Sequence, residues 1–286
     1  MKEVVVGHSP DADDIFMYMA VKFGWVSSKI AFSNFAEDIQ TLNLAALRGE
    51  VDVGAISFGV YPLICKDYAL LRTAVSFGEG YGPKLVKKRG ARLRRNFKVA
   101  LSGQHTTNAL LFRAAYKDAR IVYKNFLDIE AAVLSGEVDA GVLIHESILN
   151  YSDSLEVERE IFDIWREFAG GELPLPLGGM ALRRSLVLLD AIEIERVLTQ
   201  AVRVATTHKR LLSRMLLERN LVRVSDAELE KYLSLYANEN SVSMSETQLD
   251  AVDKLFELGY NSGFYDHICK ARDNLIPTQY RELRFS

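Results

Sequence analysis

The chain has 286 residues, 49% hydrophobic and 26% charged, and a formal net charge of −3. That length suits two lobes with a core each, and the slightly acidic balance excludes the strongly basic face of a nucleic-acid-binding domain. No run approaches about 18 apolar residues, as a membrane span needs. Cys65 and Cys269 stand too far apart in sequence for a metal or disulfide framework and read as buried structural thiols.

Val4-Val5-Val6 is a short apolar run ended by Gly7, the pattern of a buried strand. No apolar leader or cleavage site precedes it, so a cytoplasmic location is expected. His8 to Asp14 is dense in turn formers and helix caps, and Ile15 to Phe23 reads as a helix stopped by Gly24. Asp13 and Asp14 suit the positive end of its dipole. Ile30–Phe35 alternates as a strand, Asp38–Leu47 is helical, and Val51–Ile56 is again a strand. Strand–helix–strand–helix–strand is the signature of a parallel sheet. The basic run Lys84, Lys87, Lys88, Arg89, Arg92, Arg94, Arg95 has no interleaved aromatics for base stacking and reads as a solvated loop.

The same order restarts at Phe97. Val99–Leu101 is a strand, Ala109–Tyr116 a helix, Ile121–Tyr123 a strand, Leu127–Leu134 a helix and Val138–Ile144 a strand. Gly170–Gly179 looks like an extended return between lobes. The expected organisation is therefore a large discontinuous lobe, residues 1–96 plus 180–286, and a small lobe, 97–179. The later part is helical over Ala191–Leu217, Asp226–Tyr236 and Ser245–Leu258, with capping-box spacing at Ser225–Glu228 and Ser243–Glu246.

Gly49-Glu50-Val51-Asp52-Val53-Gly54 recurs as Gly136-Glu137-Val138-Asp139-Ala140-Gly141, 87 residues later. Both copies end a helix and open an apolar strand. This predicts duplication of a lobe, with the two elements facing each other across a ligand cleft. In open α/β sheets ligands bind at the carboxyl ends of strands. Those ends carry Ser57 and His145. A histidine there titrates near neutrality and can take a proton. His8 and His105 lie in strand-to-helix loops from which either could reach the cleft. Thr106, Thr107 and Asn108 open a helix and form a candidate anion site.

Five segments then point to a family: Gly7-His8-Ser9-Pro10-Asp11-Ala12-Asp13-Asp14-Ile15-Phe16, Glu37-Asp38-Ile39-Gln40-Thr41-Leu42-Asn43, Asp52-Val53-Gly54-Ala55-Ile56-Ser57, Ile144-His145-Glu146 and Leu173-Pro174-Leu175-Pro176-Leu177-Gly178. Together they resemble the 1,4-dihydroxy-6-naphthoate synthases of the futalosine route to menaquinone, over nearly the whole chain. The resemblance implies a two-lobed periplasmic-binding-protein-like (type II) α/β fold used as a carbon–carbon lyase. The implied substrate is cyclic dehypoxanthinyl futalosine, split without cofactor or metal into 1,4-dihydroxy-6-naphthoate and dihydroxyacetone. His145 becomes the proton acceptor, and Asn43, Ala55, Ile56, Ser57, Thr106, Thr107 and Ile144 the substrate-binding residues. The implied partner is an acidic small molecule, with no nucleic acid or membrane, and a homo-oligomer is compatible. One departure stands out: Ala12 and Asp13 replace the Pro and Asn of the family's Ser-Pro-x-Pro-Asn-Asp loop. Two alternatives remain open: the chorismate dehydratase of the same pathway, and a non-enzymatic small-molecule-binding protein.

Overall fold

The structure, a computed structural model, describes residues 3–222, 224–238 and 241–276. The first lobe opens with β1 (Glu3–His8), α1 (Ala12–Lys22), β2 (Ala31–Ala36), α2 (Ile39–Leu47) and β3 (Val53–Ser57). β1 runs parallel between β2 and β3. Val4, Val6 and Val53 are fully buried, as expected of parallel strands covered on both faces. Asp38 caps α2 through its carboxylate, which accepts the Gln40 and Thr41 N–H groups. A 3₁₀ turn at Phe58–Val60 leads into α3 (Tyr61–Ile64), β4 (Tyr68–Leu70) and β5 (Ser76–Gly78).

The second sheet draws on β6 (Lys84–Lys88), β7 (Lys98–Leu101), α4 (Thr107–Ala115), β8 (Arg120–Tyr123), α5 (Ile129–Ser135), β9 (Ala140–Leu143), β10 (Leu155–Glu160) and α6 (Ile161–Ala169) as strands and covering helices. β11 (Leu175–Arg183) then returns to the first sheet. The chain continues in α7 (Leu188–Thr207), α8 (Lys209–Glu218), α9 (Asp226–Tyr236), α10 (Glu246–Asn261) and the short α11 (Ala271–Asn274). Strand order is β2-β1-β3-β11-β4 in the first sheet, with β5 also on β11, and β10-β6-β9-β7-β8 in the second.

Duplication is written into these orders. The parallel trio β2-β1-β3 matches β8-β7-β9. Each trio carries one antiparallel neighbour taken from the chain as it crosses between sheets: β11 on β3, β6 on β9. Sheet membership moves the crossings relative to the expected limits at 96 and 179. The chain has entered the second sheet by Lys84 and is back in the first by Leu175.

Three other expectations are corrected. The basic run is not all loop, because its first five residues are β6. Leu85 and Val86 are fully buried there, and the lysines face acidic β10, with Lys87 Nζ 2.5 Å from Glu158 and Lys84 Nζ 3.9 Å from Glu160. The long helix predicted over Ala191–Leu217 breaks at His208, whose ψ of 31° leaves the helical region. The second capping box joins Ser245 to Gln248, not Ser243 to Glu246.

The repeated element is architectural. Gly49 and Gly136 take φ of 68° and 81°, the left-handed region that ends a helix. Val51 and Val138 are buried. Asp52 accepts the Val5 N–H at 3.3 Å and Asp139 the Lys98 N–H at 2.7 Å, so each copy ties the start of its lobe's third strand to the first strand. A Cβ on Gly141 would lie 2.5 Å from the Ile129 side chain, so only glycine lets α5 lie so close to β9. The two copies therefore sit away from the cleft, at the far ends of β3 and β9.

Candidate active site

The carboxyl ends of β1, β3, β7 and β9 converge on one cleft with a cavity of about 90 Å³, lined from these ends by Ser9, Ser57, Ser102, Ile144 and His145. Ala55, Ile56, Thr106 and Thr107 also line it. Asn43 does not reach it. That side chain is fully buried behind Ser57, donating to Ser57 Oγ at 3.1 Å and accepting the Ser57 N–H at 2.9 Å. A third bond reaches the His105 carbonyl in the second lobe at 3.4 Å. Asn43 thus fixes Ser57 and the seam between lobes.

His8 and His105 also stay out. His8 donates from Nδ1 to the Ser9 carbonyl, accepts from Asn34 at Nε2 and stacks on Tyr18, with its pKa lowered by burial. His105 faces a different pocket with Arg113 and Tyr265.

His145 is held unusually. β9 ends at Leu143, Ile144 is extended, and His145 takes φ of 53° to open a 3₁₀ turn, His145–Ile148. A left-handed backbone at a non-glycine residue costs roughly 1–3 kcal/mol and persists where the surroundings enforce it. Here Phe126 packs edge-on at 4.9 Å and Nδ1 sits 2.5 Å from Asp11 Oδ2. Nε2 is buried with no hydrogen-bond partner among the described residues. Burial alone lowers the His145 pKa, but the Asp11 charge and hydrogen bond, with Glu146 and Asp14, raise it above the ordinary value. Burial pushes Asp11 up in turn, yet the His145 imidazolium holds that carboxyl below the usual range.

The surrounding carboxyls were missed as chemistry. Asp11 occupies the N-cap position of α1 but makes no capping bond. Its carboxylate turns to His145 instead. Burial and the Asp11 and Asp14 charges drive Asp13 far up, and Tyr232 donates to Asp13 at 3.2 Å. Asp14 accepts the Ser9 N–H at 2.7 Å and is pushed up to about 7, first by burial and then by Asp11. Glu146, raised by burial and Asp11, accepts the Ala12 N–H from the other lobe at 2.8 Å. Tyr232 and Tyr236 enter the cleft from α9. Their spacing places both on one helix face, a signal the sequence carries but one that apolar core faces share.

The opposite end is neutral. Among the described residues, no lysine or arginine lines the cleft. Of the three adjacent cappers, Thr106 caps α4 by accepting the Ala109 N–H, and Thr107 ties the lobes, accepting the Gly59 N–H and donating to the Leu177 carbonyl. Asn108 Oδ1 and Ser102 Oγ are buried in the cleft with no hydrogen-bond partner among the described residues. Buried polar atoms left unpaired cost free energy, so their concentration here marks groups that a ligand satisfies. Asp11, Asp13 and His145 also set one ligand atom each within 4.8 Å of the others, a spacing open to a cation. Asp11 and His145 already bind each other, which suits proton sharing.

This acid–base cleft between duplicated sheets can be set beside known proteins. Residues 4–261 match the menaquinone biosynthesis family. The chain belongs to that family. Among curated family proteins it is 29% identical to the 1,4-dihydroxy-6-naphthoate synthase of Thermus thermophilus, over 90% of this chain and 93% of that one. The Streptomyces coelicolor protein of the same name is 30% identical, over 86% and 89%. A solved structure from Archaeoglobus fulgidus superposes with a TM-score of 0.85 at 33% identity, covering 92% of this chain and 98% of that one. The alkanesulfonate-binding protein of Xanthomonas axonopodis pv. citri, at 13% identity and a TM-score of 0.68 over 96% and 98%, shares the fold. This member of the menaquinone biosynthesis family therefore has the two-lobed architecture of periplasmic binding proteins, and none of its described helices is long and apolar enough to cross a membrane.

Proposed function

We propose that this chain is a cytoplasmic lyase that cleaves cyclic dehypoxanthinyl futalosine to 1,4-dihydroxy-6-naphthoate and dihydroxyacetone. The observation that carries this reading is His145. Its Nδ1 is engaged by Asp11 and its Nε2 is buried, with no partner among the described residues, in a cleft lined by carboxyls on one side and by hydroxyl and amide groups on the other. A redox-neutral cleavage that ends in an aromatic ring has a strong driving force and needs one base and a fixed substrate. In its neutral form, His145 takes the first proton at Nε2. Ser57, locked by Asn43, and the start of α4 with Thr106 and Asn108 hold the acidic end through hydroxyl and backbone donors. Tyr232 and Tyr236 supply an aromatic wall for the ring system.

The test is turnover of the purified chain with two substrates in parallel. The naphthoate chromophore from the cyclic futalosine derivative, and none from chorismate, is the expected result. Dehydration of chorismate supports the dehydratase, and prolonged binding of unchanged ligand supports a binding protein. Either outcome removes the lyase reading.

A further inference from the structure

The base and its partner come from different lobes. His145 follows β9 in the second sheet, and Asp11 follows β1 in the first. The 2.5 Å contact between them spans the cleft. A second bond crosses beside it, from the Ala12 N–H to Glu146 Oε1 at 2.8 Å. Asp11 is 3% exposed, and the N-cap position it occupies leaves its carboxylate free of helix duty. We propose that Asp11 is a positioning residue delivered by lobe closure: by accepting the Nδ1 proton it fixes the His145 tautomer with Nε2 toward the substrate, so the base is complete only when the lobes meet.

Four observations support this. Nδ1 is the engaged nitrogen and Nε2 the unpartnered one, the polarity a proton acceptor needs. The backbone at His145 is held at φ 53°, a conformation that two cross-lobe bonds help to hold in place. Asp13, which faces Asp11, takes a bond from Tyr232 and is pushed far up by burial first and then by the Asp11 and Asp14 charges, while His145 holds Asp11 down, so the negative charge of the pair favours Asp11. The other charged groups that bear on the ring are Asp14 from α1 and Glu146 from its own turn, while Tyr232 from α9 bonds Asp13 and His8 from β1 feels Asp11. None of these touches Nδ1, which belongs to Asp11.

The inference rests on His145 being the base, and its test separates the two ideas. In the full chain, Asp11→Asn keeps size but loses charge. The expected result is a fall in kcat of roughly 10²- to 10⁴-fold with KM changed less than about threefold. The rising limb of kcat/KM against pH should also move to lower pH, because the charge that raises the His145 pKa is gone. Unchanged kcat, or a fall in kcat with an unmoved limb, overturns the proposal. Turnover retained by His145→Ala overturns the functional reading instead. An NMR titration of His145 needs no substrate and keeps the inference testable even if Asp11→Asn does not fold. In the wild-type chain the ring should titrate above 6.5, and a value at or below 6.5 overturns it.

Discussion

The two copies of the duplicated lobe are alike at one end of a strand and unlike at the other. At the start of β3 and β9 the same glycine, valine and aspartate make the same turn, the same packing and the same bond to a neighbouring strand. At the finish, β3 delivers Ser57 on relaxed backbone, locked by a buried asparagine. β9 delivers His145 on strained backbone, ion-paired to a carboxylate of the other lobe. The shared end builds the lobes and the divergent end sets their tasks. A duplicated binding fold acquires chemistry by changing the residues at one strand terminus.

The sharpest way to break this comparison is at His145. His145→Ala should lower kcat at least about 10³-fold, read from the chromophore at saturating substrate, since a positioned base contributes roughly 10²–10⁴. Ser57 should respond through binding. Asn43→Ala leaves the Ser57 N–H buried and unpaired, which costs about 1–3 kcal/mol and should lower the melting temperature by several degrees. KM should rise about tenfold, with a smaller change in kcat.

The carboxyl cluster predicts a pH signature. Asp14 rises from 3.8 to about 7 on folding. A folded value above the unfolded one favours folding at acid pH. That contribution is full below about pH 4 and fades as pH rises through 7, with an upper bound on the order of 4 kcal/mol. Denaturant melts at pH 5 and pH 8 should show wild type losing stability relative to Asp14→Asn across that interval. A difference that stays constant with pH would contradict the assignment. The smallest effects belong to the shared ends. Asp52→Ala and Asp139→Ala should each cost about 1 kcal/mol in chemical denaturation and leave kcat per folded molecule within about twofold. An activity loss confined to one of them would show that the copies also differ in function at their starts.

Much of this was legible in the sequence. The alternation of apolar runs and helical stretches set the two parallel trios, and the recurrence at Gly49 and Gly136 announced the duplication. Ser57 and His145 were found because they end the strands that the repeat opens. The reading placed the repeats themselves at the cleft, because spacing along a strand does not say which end a ligand uses. β6 was hidden because lysines dominate it, and only pairing with acidic β10 shows why they stand in a strand. Asp11, Asp13 and Asp14 looked like helix caps, since a cap and a catalytic carboxylate have the same composition. What separates them is Tyr232 and His145, brought from 219 and 134 residues away by tertiary packing. Cys65 and Cys269, distant in sequence, are likewise neighbours, and burial with the nearby Cys65 pushes the Cys269 thiol up.

One measurement tests the central claim most directly: equilibrium binding of cyclic dehypoxanthinyl futalosine to His145→Ala, with naphthoate absorbance followed in the same sample. The division between a holding end and a proton-taking end predicts binding within a few-fold of wild type and no chromophore. Chromophore at a rate near wild type, or loss of binding with the folded state intact, would contradict it.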